Sequence, residues 1–353
     1  MEGLQAITAA IKKMPNLTSL NLAGNCICYG GKMEGLQAIT AAIKKMPNLT
    51  SLNINNNGIE GEAAEESFVL AGLLPAASAL RTCNVDGHPL PIDELKGIKA
   101  VESIDLSGKG LVVASGIIIG ACISGNAHLR HLNLAENRLC GVALSGDGTY
   151  TAKGITALIE GIKNSNIQSL SLDKNALCGV SGSGRGEYNT EGIVALMEGV
   201  KNSSIQSLSV DGHPLPIDEL KGIKVVESID LSDKNLSGKK LRAASAIIIG
   251  ACIAGNAHLR ELNLNGNCLC GVDDRWLTTY TIEGITALCE GIKQSGIRSL
   301  SLAGNYICYG GKMEGLQAII VAIEKMPNLT SLNLADNHIC YDGIEGLKAL
   351  IAA

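Results

Sequence analysis

NLTSLNLAGNCICYGG, residues 16–31, recurs near the far end of the chain as NLTSLNLADNHICYDG, residues 328–343. Within each copy the apolar side chains Leu20 and Leu22, or Leu332 and Leu334, alternate with polar neighbours, the period-two pattern of a strand with one face buried. The same LxxLxLxxN spacing, or a close variant, begins at Leu17, Leu49, Leu80, Val101, Leu129, Ile167, Ile205, Val226, Leu259, Ile297 and Leu329. Eleven short strands are therefore expected, 21 to 38 residues apart.

Between them lie stretches such as GLQAITAAIKKM (35–46), ASGIIIGACISGN (114–126) and GITALIEGIKNS (154–165), with apolar residues three and four apart. That spacing predicts helices. A strand and a helix in some 30 residues cannot bury their own apolar faces, whereas stacked copies form a continuous core. No charge-rich or low-complexity connector interrupts the series, so one domain over residues 1–353 is expected.

The pattern LxxLxLxxNxLxxxG with a helical return resembles the ribonuclease-inhibitor class of leucine-rich repeats, most clearly at Asn25, Ile27 and Gly31 and at Asn305, Ile307 and Gly311. The resemblance implies an α/β fold: a right-handed solenoid, or horseshoe, with a parallel concave sheet of about 11 strands and helices on the convex side. Two repeats depart from it. Those near 80–101 and 205–226 are only 21 residues long and carry Pro89, Pro91, Pro214 and Pro216 just past the strand. They should return by an extended or 3₁₀ path and tighten the array. They belong to a block, VDGHPLPIDELKGIK, duplicated 125 residues apart.

The formal charge of −5 offers no global positive field, so nucleic acid is not an expected partner. The apolar stretches near 111–123 and 243–254 are well short of the ~20 residues a membrane span needs, so no membrane insertion is expected. The first residues carry no recognisable export or import signal, and the twelve cysteines sit at repeat-locked positions rather than in a compact disulfide framework. A cytoplasmic location follows as an expectation.

Asn25, Asn57, Asn137, Asn175, Asn267, Asn305 and Asn337 fall where the chain leaves each strand, where a side-chain amide can satisfy main-chain groups of adjacent turns. His88 and His213 stand at that register in the short repeats and read as its substitutes. Cys28, Cys140, Cys178, Cys270, Cys308 and Cys340 follow the ladder position by three residues. Zinc requires four converging ligands, and a column along an axis does not converge, so these read as small buried apolar groups with no metal. No arrangement of Ser, His and Asp suggests catalysis, and no cofactor motif is found; the glycines of GVSGSGRGEYNT lack the Lys-Ser/Thr of a phosphate loop.

Aromatic residues gather instead in one segment of the repeat. Tyr150, Tyr188 and Tyr280 stand thirteen residues past Asn137, Asn175 and Asn267, inside inserted loops, and Trp276 shares the last of these. Insertions at a fixed place in a repeat map to one face, often the binding face. Arg130, Arg260 and Arg298 occupy outward positions of the strands, and Tyr, Trp and Arg are the residues that dominate interface hot spots. The expected function is a non-catalytic protein-interaction scaffold using Tyr150, Tyr188, Trp276, Tyr280, Arg130, Arg260 and Arg298. The alternative is a structural subunit that self-associates through terminal helices, since both ends read as ordinary repeats without a polar cap, with Leu4 and Leu347 in the end helices.

Overall fold

A computed structural model describes residues 10, 13–28, 34–59, 72, 77, 79–143, 145–180, 185–233, 240–272, 279–340 and 343–352. The chain divides into two compact units, Met1–Gly182 with Asn189–Ser204, and Ser183–Tyr188 with Ile205–Ala353.

In the first unit the described elements run β1 (Ser19–Asn21), α1 (Glu34–Ile43), β2 (Ser51–Asn53), β3 (Thr82–Asn84), β4 (Pro89–Pro91), α2 (Ile92–Leu95), β5 (Ser103–Asp105), α3 (Val113–Ile123), β6 (His131–Asn133), α4 (Lys153–Lys163), β7 (Ser169–Ser171) and α5 (Glu191–Lys201). In the second they run β8 (Ser207–Ser209), β9 (Pro214–Pro216), α6 (Ile217–Leu220), β10 (Ser228–Asp230), α7 (Ala243–Ile253), β11 (Glu261–Asn263), α8 (Glu283–Lys293), β12 (Ser299–Ser301), α9 (Glu314–Ile323), β13 (Ser331–Asn333) and α10 (Glu345–Ala352). Strands β1–β3, β5–β8 and β10–β13 occupy the eleven places that the spacing marks.

Register is held by the leucine positions. Leu20 pairs with Leu52 and Leu52 with Cys83, while in the second unit Ile229, Leu262, Leu300 and Leu332 form one row. Most of these side chains are buried, and the residues on either side face out. A one-residue slip would turn the apolar row to water at about 1.5–3 kcal/mol per residue, which fixes the pairing. Asn57 joins neighbouring turns: its Oδ1 accepts the N–H of Asn25 at 2.9 Å and Ile27 at 3.2 Å, and its Nδ2 donates to the carbonyls of Leu22 and Ile54. Asn137 and Asn337 make the same bonds, as the ladder reading requires.

The short repeats differ from a uniformly parallel sheet. The chain turns back after β3, and β4 pairs with it antiparallel, Leu90 opposite Cys83 between two prolines; β9 does the same against β8. Proline donates no hydrogen bond, so a Pro-Leu-Pro strand serves only at a sheet edge, and β4 closes the four-stranded sheet β1–β4. One helical turn, α2 or α6, then replaces the full helix.

Two side chains repair what this shortcut leaves open. Asn126 Nδ2 donates to the carbonyls of Glu94 and Leu95 at the end of α2, and Asn256 does so for Glu219 and Leu220 of α6. Asp86 Oδ2 accepts the N–H groups of Val112 and Ser115, capping α3 from 26 residues upstream. Asp211 likewise caps α7 through the N–H groups of Arg242 and Ser245. The polar bridges across these turns thus come from the aspartates two residues before His88 and His213, not from the ladder register itself.

Candidate functional site

The tyrosines of the inserted loops are held by the fold. Tyr150 is half-buried; its hydroxyl donates to the Leu177 carbonyl at 3.0 Å and accepts the N–H of Gly192 at 2.9 Å. Gly192 is the second residue of α5, so the phenol satisfies an amide that no helix can satisfy internally. Tyr280 donates to the Ile307 carbonyl at 2.8 Å, the same place one repeat on. Burial, with buried cysteine thiols nearby, pushes both phenols well above their ordinary range. Tyr188 is half-buried, with its hydroxyl enclosed. Trp276 lies outside the described residues.

The arginines divide. Arg130 Nη1 donates to the Asn166 carbonyl at 3.2 Å, and Arg260 Nη1 to the Gly296 carbonyl at 2.9 Å, so each guanidinium steadies the next turn. Arg298 is exposed, immediately before β12. Arg81 pairs with Asp93.

Tyr306 and Tyr309 also follow a ladder asparagine in the sequence, and the structure of the second unit adds to them His338 and two lysines, which the spacing missed. The Tyr306 and His338 rings meet edge to face at 5.6 Å, and Tyr309 lies 6.2 Å from His338. The Lys240 ammonium is 5.7 Å from the Tyr306 ring centre, and that of Lys312 is 4.5 Å from the ring of Tyr280. For His338 the signal lay in the letter after Asn337, a place the spacing treats as variable.

The thiols Cys270 and Cys308 near Tyr280 are buried, and burial raises Cys270 to about 12 and Cys308 to about 11. A thiol held protonated is a poor nucleophile and a poor metal ligand. Among the described residues no group of three or more His, Cys, Asp or Glu side chains is placed to hold a metal ion. No helix among them is long and apolar enough to cross a membrane.

Strands in register, helical returns and an asparagine at each full turn, buried from Asn57 onward, are the marks of one repeat type. The family model for the Leucine Rich repeat matches residues 13–31, 45–66, 125–141, 255–269 and 325–348. The chain is a leucine-rich-repeat protein. The matched segments centre on turns with a full LxxLxLxxN, while the short repeats, with Asp and His in the turn, fall outside them. Among solved structures this leucine-rich-repeat protein is similar to the leucine-rich repeat-containing protein LegL7 from Legionella pneumophila, at 18% identity over 97% of this chain and 92% of that one, with a TM-score of 0.28. A comparison with curated protein sequences finds no match.

Proposed function

We propose that this leucine-rich-repeat protein is a non-catalytic scaffold that holds a protein partner along the edge that follows the strands and on the outward strand face. Leucine-rich repeats generally serve protein interaction, and the observation that supports that use here is the edge of half-exposed rings and lysines beside turns fixed by buried asparagines. A rigid frame lowers the ordering cost of binding, and tyrosine supplies contact area with few rotatable bonds. Tyr150, Tyr188 and Tyr280 would offer ring faces, their hydroxyls being enclosed or engaged within the fold. Trp276 and Arg298 would add contact, and Arg130 and Arg260 would do so while also steadying the next turn. One continuous array over residues 1–353 and a cytoplasmic location, in keeping with buried thiols, belong to the same reading.

The test is affinity capture from source-cell lysate with the wild type and with Trp276→Ala/Arg298→Ala, which leaves the tyrosine hydroxyl bonds intact and should melt at the same temperature. A partner held by the wild type and lost by the variant supports the reading. A partner indifferent to the change removes these residues from the site.

A second reading has its own observation. Ile344, just before α10, and Leu347 and Ile351 on it are 57%, 45% and 77% exposed at spacings of three and four residues, an apolar stripe of the kind that buries when another repeat stacks on it. Self-association through this stripe would make the protein a structural subunit. A mass in light scattering above 36.6 kDa that Leu347→Glu returns to the monomer value would favour it; a monomer at all concentrations would dismiss it.

A further inference from the structure

The turns around Asn305 and Asn337 repeat one conformation. Left-handed backbone falls at Gly304 and Tyr306 in the first and at Asp336 and His338 in the second, with φ of 66°, 57°, 56° and 60°. Leu300 pairs with Leu332, and Cys308 and Cys340 keep that same offset of 32 residues, so the two thiols hold one register in adjacent turns. The backbones are bonded at this place: Cys308 N–H donates to the Asn337 carbonyl at 3.0 Å, and Asn337 Oδ1 accepts the N–H groups of Asn305 and Ile307. Turns joined in this way lie near the strand spacing of about 4.8 Å, and a disulfide spans Cα separations of roughly 4.4–6.8 Å. The sulfurs are also near enough for charge on Cys340 to oppose the ionisation of Cys308.

Their surroundings differ. Cys308 is 1% exposed, whereas Cys340 is exposed. Forming a disulfide takes one thiol that an oxidant can reach and a second thiol close behind it. Other neighbours in the column lack the first, since Cys140 and Cys178 are both buried, as are Cys270 and Cys308. The other exposed thiol, Cys26, lacks the second, because Gly58 stands at its register in the next turn. Among the described residues, Cys308 and Cys340 are the adjacent-turn pair in which both conditions meet.

We propose that Cys340 and Cys308 form a site of reversible oxidation by hydrogen peroxide, which joins the turns of Asn305 and Asn337 through a disulfide. The Cys340 thiolate attacks one peroxide oxygen; an S–O bond forms, the O–O bond breaks, and the second oxygen leaves as water with the thiol's proton, giving a sulfenic acid. The Cys308 sulfur then displaces the remaining oxygen; the S–S bond forms, the S–O bond breaks, and that oxygen leaves as water with the proton of Cys308. Two thiols give up two electrons, and one peroxide takes them to become two waters. Burial raises Cys308 to about 11, so the second step is slow at neutral pH and quickens as pH rises. Tyr309 and His338 meet across the same two turns, so the bridge latches part of the edge assigned above to a partner. The bridge itself does not depend on that assignment.

The test treats the full chain, reduced and freed of reductant, with hydrogen peroxide and then blocks the remaining thiols with N-ethylmaleimide in denaturant. The expected product lacks two hydrogens and two of the twelve maleimide adducts by intact mass, and a digest without reductant yields the peptides of Cys308 and Cys340 joined. Dithiothreitol should separate them and lower the melting temperature by a few degrees, because the bridge constrains the unfolded chain. Cys340→Ser should lose the bridge. Cys308→Ala, which keeps a small apolar group in the buried place, should leave Cys340 as a sulfenic acid that dimedone captures. Oxygen added to Cys340 of the wild type while Cys308 stays open to maleimide overturns the proposal, as does a bridge to any other cysteine, a bridge between two chains, or no reaction. A bridge that lowers the melting temperature overturns it too, since the two turns would then have to distort to accept it.

Discussion

At the scale of single residues, the fold relies on side chains that reach across a repeat boundary to satisfy main-chain groups. Tyr150 is one. Replacing it with Phe keeps the ring and strands the Gly192 N–H and the Leu177 carbonyl, so Tyr150→Phe should lower the unfolding free energy by about 1–2 kcal/mol in urea titration. An unchanged midpoint would mean that water replaces the hydroxyl. Asp211 is another, and its sign is opposite to that of most carboxylates. Desolvation lifts its pKa above the ordinary 3.8, although Ser245, Arg242 and their N–H groups pull it down. The folded state therefore holds this proton more tightly than the unfolded chain, a contribution complete below pH 3.8 that is lost as pH rises through the folded-state value. Asp211→Asn keeps an acceptor oxygen and removes the titration. The stability of the wild type should fall relative to the variant as pH rises above 3.8, and parallel curves would show that the cap is charged throughout.

At the scale of elements, the helices are set by how closely their backbones meet. A Cβ at position 161 of α4 would fall 2.0 Å from the Gly120 carbonyl oxygen of α3, and one at position 291 of α8 would fall 1.9 Å from the Gly250 oxygen of α7. Gly161→Ala and Gly291→Ala should each destabilise by about 3 kcal/mol, near the upper end for overpacking, against the small gain usual when glycine in a helix becomes alanine. Calorimetry on the two variants checks this, and a rise in melting temperature for either would show that the helices separate without penalty. The same elements show what was legible beforehand. Each of the eleven strands was readable because Leu, Ile or Val two apart, followed by a turn, admits few other structures. The short repeats were readable as departures, since two prolines and 21 residues forbid a full helix, yet their antiparallel strand was not. Its pairing depends on where β3 ends in space, and the helix caps of Asp86 and Asp211 lie 26 to 34 residues away in sequence. The candidate site was legible only in part: the loop tyrosines stood out by their place after the ladder asparagine, but nothing in the spacing told a hydroxyl tied to α5 from a free one, and His338, Lys240 and Lys312 join the rings only in the folded chain.

At the scale of the whole molecule, the cysteines measure how firmly the array is closed. Ten of the twelve are buried, and Cys26 and Cys340 are exposed. Burial also raises the enclosed thiols, Cys83, Cys122 and Cys289 to about 12, so at neutral pH they are both unreachable and protonated. The thiolate is the species that attacks a maleimide, so protection is twofold, and labelling at a buried site must wait for the turn around it to open. Native protein treated with N-ethylmaleimide should therefore show two adducts within minutes by intact mass, mapped by peptide digestion to Cys26 and Cys340. The remaining ten should react over a much longer time, and together in denaturant. Early modification of Cys308 would place the loosest turn beneath Tyr306 and Tyr309, where a docking edge with a mobile base would act differently from a rigid one. Early modification of Cys122 or Cys252, inside α3 and α7, would contradict the close helix contacts and the Gly161 prediction with them.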